Sequence, residues 1–93
     1  MSNWYLYIVE CRDGSLYTGI TTDVGRRVQE HNNSKRGAKY TRSRRPVTLV
    51  MVEEYSSRAL AASREARIKS LTRKQKLELI RDSGVRSDKI KKF

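Results

Sequence analysis

The chain has 93 residues, with 21 Lys and Arg against 10 Asp and Glu, for a formal net charge of +11. That length predicts one domain, burying only ~60–65% of its unfolded surface, and 37% hydrophobic residues suffice for a compact core. A single Cys excludes an intrachain disulfide, and no apolar run approaches the ~20 residues of a membrane span. The first residues, Met1-Ser2-Asn3-Trp4, do not form a signal peptide. Together these suit a cytoplasmic protein. The charge predicts a polyanionic partner with salt-dependent binding, and Arg's planar fork suits phosphate.

Residues 4–10 are aromatic and β-branched and predict a strand, as do residues 16–21. Arg12-Asp13-Gly14 between them is a hairpin signal. A two-residue turn would pair positions summing to 27 and put Tyr7 and Tyr17 on opposite faces. A three-residue loop with Gly14 left-handed pairs positions summing to 26, so Val9 faces Tyr17 and Tyr7 faces Gly19. A shared site requires the second register, and Gly19 then leaves room for the Tyr7 ring.

Thr22-Asp23 is an N-cap signal for a helix to about Asn32. Val24 and Val28 form its buried stripe, while Arg27 and His31, one turn apart, can meet one target. Residues 33–46 lose periodicity and read as a basic loop. Lys35, Arg36, Lys39, Arg42, Arg44 and Arg45 place six cations in eleven residues around Tyr40. This loop is expected to track a nucleic-acid backbone, with Tyr40 stacking on a base. Residues 47–52 form a nearly continuous apolar run, read as a third strand.

A helix over roughly 57–70 follows a Ser56 or Ser57 cap, with Leu60, Ala61, Ile68 and Leu71 on its apolar side. Thr72-Arg73-Lys74-Gln75 is a capping-box pattern for a last helix with core residues Leu77 and Ile80, ended by Gly84. The expected architecture is α+β: a three-stranded antiparallel sheet packed with helices in residues 1–82. Residues 83–93 are expected to form a mobile basic tail.

The strand tyrosines Tyr7 and Tyr17, then Arg27 and His31, then Glu65 in an otherwise basic helix, resemble the GIY-YIG endonuclease family in order and spacing. The resemblance covers residues 4 to about 80. It implies the GIY-YIG nuclease fold and metal-dependent phosphodiester hydrolysis. The substrate implied is nucleic acid, with DNA favoured over RNA, in repair or recombination. Catalytic roles fall on Tyr7, Tyr17, Arg27, His31 and Glu65. Here Glu65 holds Mg²⁺ or Mn²⁺, Arg27 grips the phosphate and the tyrosines set up the nucleophile. Binding roles fall on Lys35, Arg36, Lys39, Tyr40, Arg42, Arg44 and Arg45.

The sequence also departs from the family pattern. The first motif is Tyr5-Leu6-Tyr7, the second is Tyr17-Thr18-Gly19, and His31 stands where other branches carry a tyrosine. No Asn follows Asn33, although many members use one after the glutamate. Larger members carry separate binding domains, so specificity here would come from nucleic-acid shape, the basic segments or a protein partner.

Each residue also has a plainer reading. Strand tyrosines are mostly core, Arg27 could be a solvated charge, a lone helical His usually only packs, and Glu65 could simply pair with Lys69. The rival functions are a non-catalytic nucleic-acid-binding module on the same fold and a ribosome-associated accessory protein.

Overall fold

The computed structural model describes residues 3–83. In chain order the elements are β1 (Trp4–Glu10), β2 (Leu16–Thr21), α1 (Val24–Asn33), α2 (Lys39–Arg42), β3 (Thr48–Tyr55), α3 (Arg58–Lys69) and α4 (Arg73–Ser83). The expected tail beyond Ser83 and the Gly84 helix stop lie outside the described residues.

The three strands form one antiparallel sheet in the order β2-β1-β3. β1 is central because Leu6, Tyr7, Ile8 and Val9 are apolar on both faces, and all four are buried. Leu6 and Ile8 face one side, where Met51 and Ile68 complete a core against α3, and Leu79 and Ile80 of α4 pack on it. Tyr7 and Val9 face the other side, with Val47, Tyr17, Leu49 and Val28 of α1. The chain is an α+β domain, as expected.

The hairpin takes the three-residue loop. Tyr7 pairs with Gly19 and Val9 with Tyr17. Gly14 sits at φ +85, a left-handed conformation that side chains resist. The Cys11 amide closes the loop on the Ser15 carbonyl at 2.8 Å, and Asp13 Oδ1 accepts from the Ser15 amide at 3.0 Å. Asp13 thereby supplies the local hydrogen bond that makes Asp a turn former.

Two helix starts follow their sequence signals. Asp23 accepts from the Arg26 amide at 3.0 Å. Thr72 and Gln75 form a reciprocal capping box: the Gln75 amide donates to Thr72 Oγ1 at 3.1 Å, and the Thr72 amide to Gln75 Oε1 at 2.9 Å.

Three expectations are corrected. Residues 33–46 are not wholly irregular, because Lys39–Arg42 make one helical turn with Thr41 buried. β3 runs past the apolar stretch to Tyr55, since Glu53, Glu54 and Tyr55 keep pairing with Leu6, Tyr5 and Trp4. Its register shifts beside Val9, leaving Val50 as an extra residue between partners. Finally, Leu60 and Leu77 are exposed at 52% and 40%. Ala61 and Ile68 on α3, and Leu79 and Ile80 on α4, make the inward contacts instead.

Gly19 is required by the packing on the Tyr7 face. A Cβ there would stand 2.5 Å from Tyr7 Oη and 2.7 Å from Cζ. Gly19→Ala is therefore expected to cost about 1–3 kcal/mol through overpacking, read as a lower urea midpoint at constant slope. In a Tyr7→Leu background, where the ring tip is gone, the same substitution should cost markedly less.

Candidate nucleic-acid cleavage site

The site is organised around the Tyr7 phenol. Tyr7 is 1% exposed, reaches across Gly19 and meets His31 of α1, with Oη 2.7 Å from Nε2. His31 is fully buried, and its Nδ1 lies 2.8 Å from Thr41 Oγ1 of α2. The Ala38 amide also points at Nδ1, at 3.4 Å. A backbone N–H aimed at Nδ1 makes that atom an acceptor, so the ring proton belongs on Nε2, where it is donated to Tyr7 Oη. Thr41 Oγ1 is also 2.9 Å from the Ala38 carbonyl, which closes a small network among the three residues.

Burial and nearby charge control titration here. Burial pushes the Tyr7 pKa up to about 12, although a hydrogen bond and the charge of Arg27 pull it down; Tyr17 and Glu65 raise it further. Thus residues from β2, α1 and α3 all act on one phenol. Burial pushes His31 down to about 4, helped by the charges of Arg27 and Arg45 and opposed by Glu30. His31 is therefore neutral at pH 7, with no surface of its own to offer a phosphate. Its reach is through Tyr7.

Arg27 is partly buried. Its Nη1 donates to Glu30 Oε1 at 2.9 Å and to the Arg36 carbonyl at 2.7 Å. Burial alone would lower its pKa, but hydrogen bonds with Glu30 and Tyr7 more than offset this, and the net shift is upward. The guanidinium stays charged beside the tyrosine.

Tyr17 joins the same cluster by ring contacts. Its centroid is 5.1 Å from the His31 ring, edge-on, and 6.5 Å from Tyr7. On its outer side it stacks with Tyr40 at 6.1 Å. The Arg44 guanidinium lies 4.0 Å over the Tyr40 ring, while its Nε reaches Asp13 Oδ2 at 3.2 Å. The row His31, Tyr17, Tyr40, Arg44 thus runs from the core to the surface.

Glu65 stands on α3, whose rotation is fixed by its neighbour. Arg64 binds Glu53 of β3 through two hydrogen bonds, at 2.9 and 3.2 Å. The Glu65 carboxylate pairs with Lys69 at 3.3 Å, and its side chain is 23% exposed. Among the described residues no group of three or more His, Cys, Asp or Glu could enclose a metal ion. What Glu65 offers is a single accessible carboxylate in a weak surface pair. That fits a hard cation whose remaining ligands are water and phosphate, the usual way Mg²⁺ is held.

The basic segment divides into two groups. Lys35, Arg36, Lys39 and Arg42 are exposed. Arg45 instead ties down the end of α1, donating to the carbonyls of His31, Glu30 and Ser34. It acts as a helix cap from outside the helix rather than as a free surface cation.

Sequence reasoning did not find Thr41, Gly37 or the structural use of Asn32. Gly37 packs so closely on α1 that a Cβ would be 2.7 Å from the Glu30 carbonyl. Asn32 pins the start of β3, accepting from the Val47 amide at 2.6 Å and donating to its carbonyl at 3.1 Å. Asn32-Asn33 closing a helix was the available signal for a C-terminal clamp; Thr41 inside a charge run carried none.

The neutral state of His31 has a consequence for stability. Its folded pKa lies below its unfolded value of 6.5, so the unfolded chain binds the proton first and stability falls as pH drops from about 6.5 towards 4. Chemical denaturation of wild type and His31→Asn across that range should show the wild-type advantage shrinking by on the order of 3 kcal/mol. A constant gap would mean that His31 is not held neutral.

Residues 3–78 match the family model described as the GIY-YIG catalytic domain. A UPF0213 protein of Desulfotalea psychrophila is 54% identical over 80 residues, covering 86% of this chain and 73% of that protein. One from Haloquadratum walsbyi is 61% identical over 75 residues, covering 81% and 83%. The solution NMR structure of a Bacillus halodurans UPF0213 protein aligns with TM-score 0.59 at 48% identity, covering 88% of this chain and 86% of that one. That of an E. faecalis protein aligns with TM-score 0.62 at 45% identity, with the same coverage.

Proposed function

This chain belongs to the GIY-YIG family, and on that premise we propose that it is a divalent-metal-dependent endonuclease acting on DNA. The observation that carries this reading is the convergence on Tyr7. Burial is the main cause of its raised pKa, and Arg27, Tyr17 and Glu65, from three different elements, each act on the same phenol. Perturbed titration with identified charged neighbours is a physical signature of catalytic sites.

In this reading Glu65 holds Mg²⁺ or Mn²⁺, which, when bound, polarises the phosphodiester and steadies the leaving oxygen. Arg27 turns from Glu30 and the Arg36 carbonyl to grip the scissile phosphate and balance charge developing on it. Tyr7 orients the attacking water. Its Oη accepts from His31 Nε2, and Arg27 acts on it to favour the phenolate against the burial that opposes it. His31 is a positioning residue, held by Thr41 and the Ala38 amide. Tyr17 packs between His31 and Tyr40, with its ring centroid 6.5 Å from that of Tyr7.

Lys35, Arg36, Lys39 and Arg42 supply the backbone-tracking surface, and Arg44 holds Tyr40 against it. The preference for DNA over RNA and a repair or recombination role rest on the family resemblance, and a cytoplasmic location on the composition. A protein partner could add sequence or structure preference. Among the described residues, no helix is long and apolar enough to cross a membrane.

The experiment is cleavage of labelled single-stranded, duplex and branched DNA with Mg²⁺ or Mn²⁺ and with chelator. Wild type should nick in a metal-dependent way, and Glu65→Gln should lose at least about 10²-fold in rate while keeping most of its binding. Tight, salt-sensitive binding with no cutting by either protein would favour the non-catalytic module. Arg27→Ala should lose cutting while binding falls only modestly, because the other twenty of the 21 Lys and Arg remain. A collapse of binding in Arg27→Ala would remove Arg27 from the reaction centre.

A further inference from the structure

Beside Tyr17 lies an open pocket of about 200 Å³, lined by Leu16, Tyr17, Thr18, Tyr40, Lys69 and Lys76. It draws on β2, α2, α3 and α4. We infer that it receives a single unpaired nucleotide of the nucleic-acid strand, next to the bond that is cut. The inference rests on the endonuclease reading and names the structural feature of the substrate.

The lining has the chemistry of a nucleotide. Tyr40 and Tyr17 give aromatic surface and Leu16 an aliphatic one, suited to any base because every base has a π-face. Lys69 and Lys76 bring two ammonium groups from neighbouring helices, suited to the flanking phosphates. Both lysines lie outside the basic segment over 35–45, so their charge is not explained by that surface. A pocket of about 200 Å³ has room for one base. A paired nucleotide would have to leave its helix to enter, and an unpaired one enters without that cost.

Position ties the pocket to the reaction. Tyr17 lines it and also contacts His31 edge-on, one ring away from Tyr7. Lys69 lines it and also pairs with Glu65 at 3.3 Å. A cation held by Glu65 would compete with Lys69 for the carboxylate and leave the ammonium group to the pocket it lines. A nucleotide seated there therefore meets Tyr17 and Lys69, the neighbours of His31 and Glu65. Arg44 lies over the Tyr40 ring, and its Nη1 donates to the Tyr40 carbonyl at 2.8 Å.

The test measures binding in chelator, where nothing is cut. Short labelled duplexes are compared in three forms: continuous, with one unpaired deoxynucleotide, and with one unpaired ribonucleotide. The wild-type protein should bind one or both interrupted duplexes about 5-fold or more tightly than the continuous one. The better of the two arms identifies DNA or RNA as the source of the nucleotide. Tyr40→Ala should abolish the preference and Tyr40→Phe keep it, which separates loss of the ring from loss of the fold. Joint Lys69→Gln and Lys76→Gln substitution should flatten the salt dependence of binding to the interrupted duplex. Equal affinity for all three duplexes, or a preference that survives Tyr40→Ala, would overturn the inference. Metal-dependent cleavage without any preference would do so while leaving the nuclease reading intact. A preference without cleavage would support the pocket and remove the nuclease.

Discussion

The buried hydrogen bond between Tyr7 and His31 is the constraint on which the rest of the site depends. Both side chains are polar and lie within the core, so each must find a partner or lose about 1–3 kcal/mol. They find each other, and that requirement fixes how α1 lies on the sheet. Two further features follow from it. Residue 19 must lack a side chain, because the Tyr7 ring crosses the strand at that point. The far nitrogen of His31 must also be satisfied, which draws in Thr41 and the Ala38 amide and makes a turn of helix within a segment that is otherwise basic and exposed.

The same arrangement brings charge to a buried phenol. Arg27 is one turn before His31 on α1, so a helix that delivers the imidazole to Tyr7 also delivers the guanidinium to its neighbourhood. Arg64, through Glu53, sets the rotation of α3 and so the direction of Glu65. Glu65 is thus placed through a hydrogen-bonded neighbour, Arg64, that lies outside the candidate site. Arg45 is another example: its guanidinium holds the last carbonyls of α1, and through them the position of His31. A net charge of +11 does not mean that every cation faces the substrate.

Much of this was legible in the chain. Asp13-Gly14, together with the requirement that Tyr7 and Tyr17 share a face, selects the three-residue loop and the register that the sheet adopts. The capping signals at Asp23 and at Thr72-Gln75 are local, and local hydrogen bonds survive into the fold unchanged. The apolar side of α3 was less legible. Leu60 reads as core by hydrophobicity but lies outward, because small Ala61 fits the close approach to the sheet. The extent of β3 was hidden because Glu53 and Glu54 do not look like strand residues; they pair because the central strand beside them needs its hydrogen bonds met.

By itself the sequence determined every element except the α2 turn and the full length of β3, together with the basic character and the order of residues that identifies the family. These depend on neighbours within a few positions or on composition, whereas the hairpin register also needed the requirement that Tyr7 and Tyr17 share a face. Only the tertiary structure decided that His31 is a neutral donor to Tyr7, that Arg45 is a cap, that Thr41 belongs to the site and that Lys69 and Lys76 share a pocket with Tyr17 and Tyr40. These depend on burial and on contacts between residues far apart in the chain. Burial strips water from a group and leaves its titration and its partners to be set by whatever the fold brings within hydrogen-bonding distance.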